Sequence, residues 1–220
     1  MPRLRVVDGL TLAEAHRQVL RPGQLVRGRD GKARRLPRWF YEVPSWEAAL
    51  ETQLAPNFKV WEFLNVDVRE AEALRSEWPR YLPCAVSALA AFLELLRREV
   101  GTYVHIAANG GYRSPAHRLS THASAHCWGT AANIYRVGDD WMDDAKTIAR
   151  YARIAEKLLP GLYVRPYGSA LGQADYHLHV DLGWSVTVPH GTAGERARRE
   201  DGVDQGSGSA HGIETAGAGT

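Results

Sequence analysis

Two short stretches of this 220-residue chain hold five of its nine histidines. The first stretch covers residues 110–134, and the second covers residues 176–184. The histidines in question are His117, His122, His126, His177 and His179. Histidine side chains cluster to bind a metal ion or to transfer protons, and they also occur in polar cores without any chemical role.

The most informative spacing is the pair formed by His177 and His179. Residues two apart on a strand project their side chains from the same face, and residues 176–182 are predicted to form a strand. Two adjacent imidazoles repel each other when both are charged, so at least one should be neutral at pH 7. A neutral imidazole is the form that binds a metal. Asp181 shares this face and is placed to orient a histidine or a water molecule.

The path of the chain around His126 decides whether it can join that pair. His122 and His126 are four residues apart and would share one face of a helix. Gly129 and the β-branched residues near it instead favour a loop that runs into a strand over residues 130–135. That path brings His126 and Asn133 into one site if the chain bends at Gly129, which glycine permits.

The other polar residues of these stretches have simpler interpretations. Arg113 lies in a predicted loop, where a guanidinium can hold a carboxylate through two parallel hydrogen bonds. His117 and His122 are interpreted as loop residues that form hydrogen bonds rather than as ligands. No role is assigned to the remaining histidines, which are His16, His105, His190 and His211.

The elements that must position these residues alternate between helix and strand. An apolar stripe with helical spacing predicts a long helix over residues 83–100, and a β-branched run predicts a strand over residues 102–107. A second helix is predicted over residues 143–159. Two further strands, residues 162–165 and 176–182, are separated by a glycine-rich turn and are predicted to form a hairpin.

Composition limits the class of protein. Hydrophobic residues make up 45% and charged residues 24%, and the formal charge of +2 is too small to indicate a nucleic acid partner. The two cysteines, Cys84 and Cys127, form neither a disulfide framework nor a zinc pair. No membrane-spanning segment and no signal peptide are recognised, which predicts a cytoplasmic protein, with a phage-type or other non-standard release route left open.

The chain is expected to comprise one domain with appendages. Residues 1–55 are interpreted as an N-terminal extension with a basic arm, residues 56–190 as the main domain, and residues 191–220 as a disordered tail. The basic arm runs from Arg27 to Arg38. A solvated hairpin around residues 29–31 is the favoured interpretation, and an anionic partner such as a nucleic acid or a cell-wall polymer is the alternative.

Three segments together resemble the D-alanyl-D-alanine zinc peptidases, which belong to the fold group of lysostaphin-like enzymes and hedgehog domains. Residues 124–133, reading SAHCWGTAAN, resemble the family signature S-x-H-x-x-G-x-A-x-D. Residues 111–117, reading GYRSPAH, are similar to the upstream G-Y-R-S-x-x-H segment, and residues 177–181 are similar to the terminal H-x-H element. The three segments stand in the order of the family.

This resemblance implies an α+β domain of the hedgehog/DD-peptidase type, with helices packed on a central antiparallel sheet. It also implies a zinc ion that lowers the pKa of its water and polarises the scissile carbonyl. The implied zinc ligands are His126, Asn133 and His179. His177 takes the place of the general base and Arg113 that of the arginine that steadies the substrate, with Ser124 and Asp181 in support.

Asn133 departs from the signature, in which this ligand is an aspartate. An amide oxygen can bind zinc but brings no negative charge, which weakens the site by several kcal/mol. Two hypotheses follow, with an unrelated soluble domain as a third. One is a zinc-dependent DD-carboxypeptidase or endopeptidase that acts on the stem peptide of peptidoglycan, and the other is a catalytically impaired module that binds peptidoglycan or a related ligand. Neither involves a nucleic acid.

Overall fold

Antiparallel sheets and α-helices make up the part of the chain that the computed structural model describes, residues 4–170 and 172–189. Within those residues the strands are β1 Arg5–Asp8, β2 Leu25–Arg27, β3 Ala33–Arg35, β4 Trp39–Val43, β5 Gln53–Ala55, β6 Phe58–Lys59, β7 Arg80–Pro83, β8 Val104–Ile106, β9 Ala131–Val137, β10 Asp140–Trp141, β11 Tyr163–Val164 and β12 Leu178–Asp181. The six helices are α1 Glu14–Leu20, α2 Trp46–Glu51, α3 Val60–Leu64, α4 Glu72–Arg75, α5 Val86–Val100 and α6 Ala145–Leu158. The predicted tail, residues 191–220, lies outside the described residues.

The main sheet has the strand order β10-β9-β12-β11. Strand β8 also belongs to this sheet and pairs with the opposite edge of β9. In the register of β9 and β12, Asn133 lies opposite His179 and Ile134 lies opposite Leu178. Side chains alternate between the two faces of a strand. Ile134 and Leu178 therefore point into the core, while Asn133 and His179 point to the opposite face.

Helices α5 and α6 cover the core face of this sheet. Helix α5 contributes buried leucines, including Leu89 and Leu93, and α6 contributes Ile148, Tyr151 and Ala155 to the same hydrophobic core. These residues recur every three or four positions, which gives each helix one apolar side. The two helices and the strand hairpin that the sequence predicts here are all present, although each is a few residues shorter than expected.

The start of the long helix differs from the prediction. Pro83 was expected to begin it, but Pro83 ends β7 and pairs with Phe40, and α5 begins at Val86. A proline is tolerated at the end of an edge strand because its missing N–H removes no ladder bond there. Among the described residues, no helix is long and apolar enough to cross a membrane.

The N-terminal residues form a second sheet, with the order β1-β4-β7. Strand β7 comes from the main domain, and residues 4–188 belong to one compact unit. The basic arm contains the expected hairpin, in which β2 pairs with β3. This hairpin lies against the loop that leads to β9, because Leu36 packs with Cys127 and Trp128, and Trp128 Nε1 donates to the Arg35 carbonyl at 3.1 Å.

Candidate functional site

Three histidines from two of the three motif segments lie close together beside the main sheet. His126 lies on a 3-10 turn over Ala125–Trp128, His177 lies just before β12, and His179 lies within β12. The ring centroids of His126 and His179 are 5.2 Å apart, and those of His177 and His179 are 6.5 Å apart. All three side chains are buried, with exposed fractions of 0%, 4% and 3% in chain order.

The bend after the turn aims His126 at β12. Gly129 has φ +69°, a conformation that glycine adopts without strain, and its N–H bonds the His126 carbonyl. On the ring, Nδ1 donates to the Gly111 carbonyl at 2.7 Å. Burial is the main reason that the pKa of His126 lies well below its usual value, so the ring is neutral at pH 7.

The second ring nitrogen of His126 is left as a buried acceptor. Because Nδ1 carries the proton, Nε2 has a free lone pair, and it has no hydrogen-bond partner within residues 4–170 and 172–189. Histidines that bind metals have this arrangement, in which one ring nitrogen donates to a carbonyl and the other is free to bind the metal.

His179 is held from both sides. Its Nε2 lies 3.1 Å from Asp181 Oδ2, and its Nδ1 lies 2.7 Å from Asn133 Oδ1. The carboxylate only accepts, so Nε2 carries the proton of the neutral ring and Nδ1 is an acceptor. Burial lowers the pKa of His179, which keeps the ring neutral. His179 Nδ1 and Asn133 Oδ1 would then be two acceptors 2.7 Å apart. Either a cation lies beside them, or the Asn133 amide is turned over so that its NH2 group donates to Nδ1.

His177 is neutral and unpartnered. Its Nε2 is buried and bonds to nothing in the described part of the chain, and its ring lies edge-on to Tyr176 at 4.6 Å. Burial, and then the nearby His179 and Arg165, lower the pKa of His177 to about 3. A general base works best with a pKa near the working pH, so His177 accepts hydrogen bonds more readily than protons in this state.

Arg113 is a buried cation that forms no salt bridge within residues 4–170 and 172–189. It is 7% exposed, its Nη2 lies 3.5 Å from Ser124 Oγ, and its Nε has no partner among the residues described. Burial lowers its pKa to about 10, so it remains charged at pH 7. A guanidinium that is desolvated in this way is stabilised by an anionic ligand.

The loop around Arg113 is fixed by contacts that the sequence did not reveal. Glu70 is buried and accepts from the Ser114 N–H at 2.9 Å and from Ser114 Oγ at 2.6 Å. A Cβ on Gly111 would lie 2.6 Å from the Phe63 Cα, so only glycine allows this close approach. No local signal marks Glu70, because it is one acidic residue in a segment with several others.

The predicted site residues therefore lie together, but they do not supply a full set of charged ligands. The structure brings together His126, Asn133, His177, His179 and Asp181, and it places Arg113 against Ser124. In the described ranges, no group of three or more His, Cys, Asp or Glu side chains is arranged to hold a metal ion. The donors that could meet a zinc ion are two imidazoles and one amide. The two imidazoles are buried and fit zinc in donor type, whereas Asn133 is half-buried and supplies a neutral amide in place of a carboxylate.

Comparisons with protein-family models, with curated proteins and with solved structures found no match to this chain. The three motif segments and the geometry around them are therefore the basis for any functional assignment. That geometry combines neutral buried imidazoles, an amide and an unpaired guanidinium within one site.

Proposed function

We propose that this protein is a zinc-dependent peptidase-like protein of the hedgehog/DD-peptidase fold group that acts on D-amino-acid-containing peptides of the cell wall. One observation carries the proposal. His126, with its free Nε2, and Asn133 come from one motif segment and His179 from another, and the three side chains meet where both rings are buried. Buried acceptors of this kind, without donors, are what a cation satisfies.

Each residue then has a distinct task. Zinc held by His126, Asn133 and His179 would supply Lewis acidity to the scissile carbonyl. Arg113 binds the carboxylate or carbonyl of the substrate, which relieves its buried, unpaired charge. His177 accepts a hydrogen bond or a proton from the attacking water, and Asp181 keeps the Nε2 of His179 protonated so that Nδ1 stays available.

Metal analysis of the full chain, purified without chelator, tests the proposal. We expect close to one zinc per chain, and we expect cleavage of a stem peptide ending in D-alanyl-D-alanine that stops when a chelator removes the metal. His126→Ala should lose the metal, whereas His122→Ala, in the same stretch but with an exposed side chain, should keep it. Full cleavage by metal-free protein would contradict the proposal.

A binding module for peptidoglycan or a related ligand is the second candidate. Two observations favour it, namely the uncharged Asn133 in place of an acidic ligand and the low pKa of His177, which makes a poor base. This candidate predicts that the same stem peptide binds with equal affinity with and without chelator and is not cleaved. Arg113→Gln should then weaken binding, because the guanidinium holds the carboxylate of the ligand.

A further inference from the structure

A row of aromatic rings lies on the main sheet, outside the histidine cluster, with one arginine at each end: Arg97 from α5 and Arg136 from β9. The rings follow one another at centroid distances of 6.1, 5.9 and 5.6 Å, and each end of the row has a guanidinium over its last ring, at 4.8 and 5.5 Å. We name this row the aromatic strip. In spatial order, its members are Arg97, Tyr103, His105, Tyr135, Trp141 and Arg136.

A β-bulge in β9 builds the centre of the strip. The register pairs His105 with Arg136 but Ile106 with Ile134, so Tyr135 is an extra residue in β9. Tyr135 and Arg136 both reach His105, the first ring to ring and the second through Nη2 at 3.2 Å from Nε2. A bulge re-aims a side chain in this way, and here it places an aromatic ring and a guanidinium on the same side of the sheet.

The strip is not needed for the hydrophobic core. Tyr103 is 65% exposed and Trp141 is 55% exposed, whereas Val104 and Val137, their neighbours in β8 and β9, point into the core and are buried. Scattered exposed aromatics need no explanation, but a continuous row of them on one face marks a binding surface. Tryptophan, tyrosine and arginine are the residues that carry most binding energy at such surfaces.

The middle of the strip lies beside the candidate site on β9. Asn133, which faces His179, is two residues before Tyr135 on β9, a separation of about 7 Å along a strand. Helices α5 and α6 pack on the opposite face of this sheet. Because the strip crosses β8, β9 and β10, an extended ligand lying along it would pass beside the histidine cluster at Tyr135, where a branch of the ligand would reach the cluster.

We propose that the aromatic strip binds a linear polysaccharide, whose sugar rings stack on the aromatic rings and whose carboxylates meet Arg97 and Arg136. The row is one ring wide, so it can contact a chain of sugar rings along its length. It is too narrow to bury the roughly 800 Å² that each partner buries in a stable interface between globular proteins. Two guanidiniums neutralise only two phosphates, which favours a weakly charged chain over a polyphosphate backbone, whose binding depends on the number of phosphates neutralised. Flat aromatic faces and a few forked donors fit a weakly acidic sugar chain.

This inference rests on the proposed function only for the source of the polymer, which would be the glycan strand of the cell wall, whose sugar units without a stem peptide keep a free carboxylate. Binding of the glycan requires neither metal nor cleavage. The test is therefore done with chelator present, so that loss of zinc chemistry and loss of glycan binding are seen as separate results.

Titration calorimetry of the full chain with two soluble, peptide-free N-acetylhexosamine oligosaccharides tests the proposal. One oligosaccharide is neutral, and the other carries a carboxylate on every second ring. Trp141→Ala should weaken binding of both about tenfold, which is about 1.4 kcal/mol. Arg136→Gln should weaken binding of the carboxylated one only. Trp46→Ala, which removes another exposed tryptophan on α2, should change neither.

Four results would overturn the proposal. The first is that neither oligosaccharide binds, and the second is that Trp46→Ala weakens binding as much as Trp141→Ala does. The third is that a single-stranded oligonucleotide binds more tightly than the oligosaccharides and loses affinity with Trp141→Ala. The fourth is that the protein sediments as a dimer and that Trp141→Ala converts it to a monomer. The thermal unfolding midpoint of each variant is measured first. Because Trp141 is mostly exposed, its removal should leave that midpoint nearly unchanged.

Discussion

At the scale of single residues, Asn133 is the ligand of the proposed zinc site that brings no charge. Asp and Asn have nearly the same shape, so Asn133→Asp adds a negative charge without disturbing the pairing of β9 and β12. We expect zinc to bind the variant at least about tenfold more tightly, because a charged ligand attracts the ion strongly at contact distance. Competition with a fluorescent zinc chelator measures the change. Unchanged affinity would show that the side chain at position 133 does not contact the ion.

The buried histidines should make the metal-free protein sensitive to mild acid. The pKa values of His126, His177 and His179 are lowered by burial in the folded state, to about 3 for His177, and return to about 6.5 on unfolding. The unfolded chain therefore binds more protons below pH 6.5, and the free energy of unfolding falls as the pH falls from 6.5 towards 3. The slope is at most about 1.4 kcal/mol per pH unit for each histidine.

Urea unfolding at pH 6.5 and pH 5, with chelator present, measures this loss. The buried His177→Gln variant should lose less stability between the two pH values than the unchanged protein does. Carboxylates with lowered pKa values, such as Asp8 and Asp140, stay ionised throughout this window and do not contribute. Equal stability at both pH values would contradict the neutral, buried state of these rings.

The two cysteines should be unreactive in the folded protein. Burial raises the pKa of Cys84 to about 12 and that of Cys127 to about 11. At pH 8 the thiolate fraction of each is then about one part in a thousand or less, and the thiolate is the reactive form. Ellman's reagent should react slowly with native protein and rapidly with both thiols in guanidinium chloride. A fast native reaction would show that one of them is accessible.

At the scale of elements, the β2–β3 hairpin supports the loop that carries His126. Leu36 is 2% exposed and packs on Cys127 and Trp128, so Leu36→Ala should cost about 2–5 kcal/mol of unfolding free energy. Because the 3-10 turn then loses its support, zinc affinity should fall as well. Leu25→Ala changes an exposed leucine of the same hairpin and should affect neither property. Chemical denaturation and zinc competition measure the two effects, and a loss of stability without any loss of zinc affinity would contradict this supporting role.

Local patterns predict elements well when the signal is itself local. The helical spacing of apolar residues predicts α5 and α6, and the glycine at position 129 predicts the bend before β9. The bulge at Tyr135 could not be predicted, because it depends on how β8 pairs with a strand some thirty residues away in sequence. The interaction of Glu70 with Ser114 was missed for the same reason, since it joins residues 44 positions apart.

At the scale of the whole molecule, the N-terminal extension shares its sheet with the main domain. Strand β4 lies between β1 and β7, so a chain that begins at residue 56 loses β4, the strand with which β7 pairs in that sheet. We expect that chain to unfold at a much lower urea concentration than the full chain. A chain that begins at residue 39 keeps β4 and should be intermediate. Equal midpoints for all three would show that residues 56–188 are stable alone.

The register between β9 and β12 has a consequence for how this molecule can change over time. Ile134 and Leu178 meet inside the protein, and the neighbouring positions, Asn133 and His179, meet on the other side. A slip of one residue would exchange these two sets completely. A mutation that lets β12 slip by one residue against β9 would therefore disrupt the hydrophobic core and separate the site residues at the same time. During evolution, the loops around the histidine cluster can change far more freely than these two strands.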